Sequence, residues 1–252
     1  EVPSLCIKCH RTDNPSFSRQ HMNYPVAKSR CTSCHDSHGS NKAVIMLDEV
    51  HAPVSSKQCV QCHEASDSQS PLATKKKGAD LCIGCHKEMV DAALSKKRVH
   101  WPMLDSNGCL NCHAAHASGQ KKLLDGTVIE VCGRCHADTV RLQKISINNP
   151  KNTKLCEPVQ KGDCIKCHSP HSSDSILLMP AQPAGPEGCG KCHEWQKHSA
   201  HPAGEKIIDP RNKNLSVDCM SCHRACGTGN KPSMSQFETI TETCIHCHKE
   251  LE

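Results

Sequence analysis

The sequence predicts a mostly irregular chain with short α-helices and little or no β-structure, folded over residues 1–252 as one elongated domain around an interior its own side chains do not supply. Three observations lead there. Aromatic residues make up only 2% of the chain, with two Phe, two Trp and one Tyr. Apolar runs are short, the best being Ala43–Leu47 (AVIML) and Ile176–Met179 (ILLM). A chain this polar cannot bury enough apolar surface to offset the conformational entropy lost on folding. Finally, there are 22 cysteines and 19 histidines, and one pentapeptide, CxxCH, occurs ten times.

The ten copies are Cys6, Cys9 and His10; Cys31, Cys34 and His35; Cys59, Cys62 and His63; Cys82, Cys85 and His86; and Cys109, Cys112 and His113. They continue with Cys132, Cys135 and His136; Cys164, Cys167 and His168; Cys189, Cys192 and His193; Cys219, Cys222 and His223; and Cys244, Cys247 and His248. They use 20 of the 22 cysteines. High cysteine content alone would suggest a disulfide scaffold, but such scaffolds do not repeat one pentapeptide. Zinc sites use CxxC without an obligatory following His. CxxCH is the attachment signature of c-type haem. Two thiols add across the two vinyl groups of one porphyrin, and the adjacent His points back at the iron as proximal ligand. Ten covalently bound haems are large apolar discs, and the polypeptide wraps around the chain they form.

That reading explains the local pattern. Short helices are expected at and after the motifs, best of all over 85–100 (CHKEMVDAALSKKRVH), rich in helix formers with a basic end, and from Cys135 (CHADTVRLQK). Clusters of Pro, Gly and Asn mark connectors at 180–188 and 209–214. No segment approaches the 18 apolar residues of a membrane span. The opening EVPSLC reaches a haem cysteine by residue 6, as a processed N-terminus would. Haem of this kind is attached outside the cytoplasmic membrane, so a periplasmic, extracellular or cell-surface protein is expected. The formal charge of +5 omits two propionates per haem. The basic runs at 75–77 and 96–98 therefore read as solvated faces or propionate partners, and no nucleic-acid partner is expected.

A larger unit repeats: CxxCH, a spacer, a His near Pro, then CxxCH followed by xxH. Four doubled units span 6–38, 82–116, 132–171 and 189–226, with single-haem segments at 51–63 and 244–248. Distal ligands are expected at His21, His38, His51, His100, His116, His171, His201 and His246. His201 is preferred to His198 because it adjoins Pro202. Met103, Met179 and Met234 are weaker axial candidates. A His three residues past a proximal His cannot reach the far face of the same porphyrin. His38, His116 and His171 therefore serve a neighbouring haem or none, and the same holds for His246 inside its own motif.

The segments CTSCHDSHGS, CLNCHAAHAS and CIKCHSPHSS resemble the doubled-CxxCH multihaem cytochromes, and the resemblance runs through nearly the whole chain. It implies a His on both faces of most irons. The ten-motif count also looks like the periplasmic cytochromes of outer-membrane electron conduits in metal-reducing bacteria. A similar haem density is found in extracellular cytochromes that polymerise into filaments.

Ten irons need ten sixth ligands, and only nine histidines lie outside the proximal positions. The two remaining cysteines fall in ligand slots. Cys156 (LCEPV) stands where His51 (VHAPV) and His100 (VHWP) stand, and Cys226 stands three residues past a proximal His, as His38 does. At least one haem is expected not to be bis-His, with Cys156 as its sixth ligand and Cys226, like His198, a further distal candidate; the other readings of the two cysteines are a Cys156–Cys226 disulfide or free thiols.

The function expected is electron transfer along closely packed haems. Its partners would be other cytochromes, an outer-membrane conduit or extracellular acceptors, and the chain could form a homopolymer. The alternative is a multihaem nitrite, sulfite or hydroxylamine oxidoreductase with one open iron. No CxxCK stands in the chain, and Tyr24 is its only tyrosine. The intact mass of the holoprotein should exceed that of the polypeptide by ten haems; a smaller number would contradict the reading of every CxxCH as an attachment site.

Overall fold

The computed structural model describes residues 2–150, 156–179, 188–193, 206–224 and 235–251. They fall into two compact units, Glu1–Asp91 with Trp101–Thr127, and Ala92–His100 with Val128–Glu252.

The first unit opens with α1 (Val2–Cys6), which delivers the first haem cysteine at its end, and α2 (Pro15–Gln20). Asn14 caps α2 by accepting the Ser16 amide, and Pro15 occupies the first turn, where its missing N–H costs nothing. Next come β1 (Glu49–Val50), α3 (Ala52–Ser55) and α4 (Ala79–Leu94), whose residues from Ala92 on are counted with the second unit. The helix expected from Cys85 thus begins six residues earlier and stops at Leu94. Residues 98–99 instead form β2 (Arg98–Val99), which belongs to the second unit. The first unit ends with β3 (Ala117–Ser118), antiparallel to β1 with Glu49 opposite Ser118.

In the second unit, α5 (Val128–Gly133) and α6 (Ala137–Asn148) flank the Cys132–His136 motif, as expected for CHADTVRLQK. Then follow α7 (Glu157–Lys161) and β4 (Ser172–Ser173), which pairs with β2. The unit closes with β5 (Ile208–Asp209), β6 (Asn212–Ser216), α8 (Cys219–Cys222) and α9 (Ile240–Ile245). The connector expected over 209–214 is instead the turn and first half of a β5–β6 hairpin. Asp209 is its lock. Its carboxylate accepts the Arg211 amide at 2.9 Å and Nε at 2.8 Å, with a second bond to the guanidinium. The connector expected over 180–188 lies outside the described residues apart from Gly188.

Sheet content is small, three two-stranded pairs among the described residues. The apolar interior is equally small. Among the described residues the buried hydrophobic side chains are Tyr24, Val90, Ala93, Ala117, Val131, Val159 and Met179. Meanwhile Ile7, Val60, Leu110 and Ile165, each inside a CxxCH, stay about half exposed. Apolar groups at that position are what a porphyrin lying on the motif would cover.

Two predictions follow from these packings. Gly162 ends α7 with φ +67°, and a Cβ there would stand 2.6 Å from Ile129 Cδ1. Gly162→Ala should lower stability by about 1–3 kcal/mol, read as an earlier thermal transition; an unchanged midpoint would contradict the packing. The Arg211 guanidinium beside Asp209 holds its carboxyl down at about 2 from an ordinary 3.8. A depressed carboxyl stabilises the fold above its unfolded pKa, and that stability is lost as pH falls through the folded value. Amide exchange over 207–217 should therefore accelerate as pH drops from about 4 toward about 2, beyond its intrinsic pH dependence, and Asp209→Asn should abolish that extra acceleration.

Candidate functional site

Each CxxCH is built as one helical turn. The amide of the His donates to the carbonyl of the first Cys, as from His35 to Cys31 at 3.0 Å, His113 to Cys109 at 3.0 Å and His193 to Cys189 at 2.9 Å. The turn sets the two thiols three residues apart on one side and the imidazole beside them.

A second device fixes the ring. The Nδ1 atoms of His35, His63, His113 and His168 donate to the carbonyls of Val44, Leu72, Lys122 and Leu177, at 2.9, 3.0, 2.9 and 2.7 Å. In every case the carbonyl lies nine residues on. A carbonyl only accepts, so Nδ1 carries the proton and Nε2 presents its lone pair outward, ready for a metal. In the doubled units the returning turn is left-handed at two successive residues: Val44 and Ile45, Lys122 and Leu123, Leu177 and Leu178, with φ between 48° and 59°. None is glycine, and Val44 and Ile45 are β-branched, so each position costs on the order of 1–3 kcal/mol. The turn is held by its partners. The carbonyls of Ile45, Leu123 and Leu178 accept the amides of Asp36, Ala114 and Ser169. Ser40, Ser118 and Ser173 donate to the carbonyls of Met46, Leu124 and Met179.

Opposite four proximal rings stands a second imidazole. The ring centres of His51 and His86 are 6.1 Å apart, and those of His100 and His136 also 6.1 Å, inclined by 19° and 18°. His63 and His116 are 5.8 Å apart at 33°, and His21 and His35 6.4 Å apart at 66°. A metal held by two imidazole nitrogens at about 2 Å each sets the ring centres roughly 6 Å apart, so these pairs fit one haem iron between them. The outer rings are pinned as well: Nδ1 of His51, His100 and His21 lies 2.9 Å from the carbonyls of Ala115, Pro170 and Phe17. Burial, reinforced by His63 and His51, pushes the His116 pKa down and favours the neutral, ligating form. The slots are also coupled through the backbone. The His51 amide donates to the His116 carbonyl beside β1–β3, and the His100 amide to that of His171 beside β2–β4.

The leading thiols of paired motifs meet. Cys31 hydrogen-bonds Cys6, Cys82 bonds Cys109, Cys164 bonds Cys132 and Cys219 bonds Cys189. In the free thiols the bond from Cys132 lowers Cys164 to about 7, and burial followed by the Cys109 charge raises Cys82 to about 11. Haems held through these paired cysteines would be neighbours, and bound haem would supply one-electron iron chemistry there.

The remaining candidates are placed less completely. The His38 side chain is 96% exposed, with Asp36 at 3.9 Å. The His171 carbonyl receives His100, and the His246 ring lies 4.5 Å from that of Phe237. Cys156 precedes α7, and Met103 and Met179 lie in or beside short 3-10 turns. His198, His201, Cys226 and Met234 lie outside the described residues. Sequence reasoning missed the carbonyls nine residues on and the serines, although the serine signal was present in the repeated HxS of HGS, HAS and HSS. It also missed Tyr24, buried against His63 with its hydroxyl donating to the Glu64 carbonyl at 2.7 Å.

These features agree with comparisons to known proteins. The family described as "Doubled CXXCH motif" matches residues 23–49, 51–91, 100–141 and 157–198, more than half of the chain. Its last three segments pair the motifs at 59–63 with 82–86, 109–113 with 132–136, and 164–168 with 189–193. That register alternates with the one joined by thiols. The multiheme cytochrome MtrA of Shewanella baltica (strain OS185) is 26% identical over 293 residues, spanning 98% of this chain and 76% of its own. Among the described residues no helix is long and apolar enough to cross a membrane. The chain belongs to the doubled-CXXCH family of multihaem c-type cytochromes, and it is an electron-transfer haem protein.

Proposed function

We propose that the chain carries ten haems and relays electrons among them outside the cytoplasmic membrane, between redox proteins on its donor and acceptor sides. The observation that carries this reading is the set of imidazole pairs facing each other across an iron's span. Bound haem supplies one-electron iron(III)/iron(II) chemistry; the chain's residues decide what that chemistry is used for. Filling both axial positions leaves no place for a substrate, which favours relay over turnover. Holding each ring by Nδ1 keeps the ligand geometry fixed, so little rearrangement accompanies a change of charge. The thiol-paired motifs bring neighbouring porphyrins to one edge, and the alternate pairing favours continuity from one doublet to the next. By this reading the twenty motif cysteines and ten motif histidines hold the haems. His116, His51 and His100 cap the irons of His63, His86 and His136, and His21 caps that of His35.

The setting we favour is a periplasmic cytochrome that passes electrons toward an outer-membrane conduit. The relative that spans nearly the whole chain is a multiheme cytochrome by name, in keeping with an electron carrier.

Film voltammetry should show a broad envelope of overlapping one-electron waves, and the reduced protein should bind carbon monoxide at no more than one iron in ten. Negative-stain images should show discrete particles. Rapid, stoichiometric carbon monoxide binding together with turnover of nitrite or hydroxylamine would overturn the relay, and long filaments would overturn the setting.

A further inference from the structure

We infer that Cys156 supplies the sixth ligand of the iron attached through Cys189, Cys192 and His193, giving one His/thiolate haem in an otherwise histidine-capped series. The inference rests on the relay reading of the CxxCH sites and deepens it.

Three segments share one design. His51-Ala52-Pro53, His100-Trp101-Pro102 and Cys156-Glu157-Pro158 each place a metal-binding side chain two residues before a proline. His51 and Cys156 each stand just ahead of a short helix with almost the same backbone, φ −60° and ψ 136° against φ −57° and ψ 128°. The proline in the first turn of both helices fixes φ where no amide is needed, so the side chain before it leaves the backbone in a set direction.

In the first two segments that direction ends at a proximal histidine. His51 faces His86, 35 residues on, and His100 faces His136, 36 residues on, each at 6.1 Å between ring centres. The residue 37 positions after Cys156 is His193. The family match has the same frame: its segments begin at 51, at 100 and one residue past Cys156, and each takes in that last histidine. Proximity agrees. Cys156 lies close enough to Cys192 and Cys189 for their charges to act on its thiol, and close enough to Cys167 to act on that one, so it stands among the thiols of both neighbouring motifs. Its neighbourhood is a haem attachment turn, as for His51 and His100.

Coordination would fill an open axial position: the S–H bond breaks and its proton leaves to solvent, the sulfur lone pair would bind iron(III), and no electron changes hands. Burial raises the free Cys156 thiol, while the Val159 amide opposes that shift by favouring the thiolate. A thiolate stabilises iron(III) more than an imidazole does, so this haem sits at the low-potential end of the series.

The test is electron paramagnetic resonance of the oxidised holoprotein beside Cys156→His, Cys156→Ala and Cys226→Ala variants. The expected result is a low-spin thiolate signal integrating to one haem in ten, retained in Cys226→Ala and replaced by a bis-histidine signal in Cys156→His. Cys156→His keeps the test meaningful where Cys156→Ala fails to fold. Wild-type spectra without a thiolate signal, a signal lost only in Cys226→Ala, or a Cys156–Cys226 disulfide found by peptide mapping would each overturn the inference. Film voltammetry of the same samples separates this from the relay reading. A broad envelope with no thiolate signal sinks the ligand alone, whereas loss of the envelope from the wild-type protein sinks both.

Discussion

The structure depends on one constraint: an imidazole must present Nε2 at a fixed distance and angle to an iron that the same five residues have already tethered. A helical turn places the two thiols and the ring together, but it leaves the ring free to rotate. The carbonyl nine residues on removes that freedom by accepting a hydrogen bond from Nδ1–H. The chain after each such motif is shaped by this requirement, down to left-handed Val44 and Ile45, residues that would not choose that conformation on their own. Local backbone strain is accepted because the ligand geometry needs it.

The same constraint explains why the polypeptide is so thin. With seven buried hydrophobic side chains among the described residues, it has no interior to speak of without its cofactors. The two-residue strands and short helices are too small to be stable alone. They act as clamps that bring a second imidazole from 35 or more residues away to stand opposite a proximal ring, as β1–β3 does for His51 and His116. Covalent attachment makes each clamp effective, since a tethered haem is present at high local concentration.

How much of this was legible in the sequence follows from the range of each interaction. The CxxCH turns are local, and ten copies against a near absence of aromatics point to haem as the source of the interior. The helices at α4 and α6 were legible from their helix formers, apart from the end of α4, where Arg98 and Val99 leave to pair with Ser172 and Ser173. A partner 73 to 75 residues away leaves no trace in a two-residue strand. The hairpin at 208–216 was hidden for a related reason. Asp209, Pro210, Arg211 and Asn212 read as a connector because the turn is stabilised by a buried ion pair, not by an alternating pattern. Candidate distal histidines could be proposed from their place beside Pro or three past a proximal His. The iron each one faces could not, because that depends on how the repeats stack.

The account's central claim is that bound haem stands in for a hydrophobic core. The most direct measurement is circular dichroism with sedimentation on the chain carrying Cys→Ala at all twenty motif cysteines, compared with the holoprotein. The account predicts that the haem-free chain is expanded, shows little helical signal and melts without a cooperative transition. A compact haem-free chain with a sharp thermal transition would contradict it.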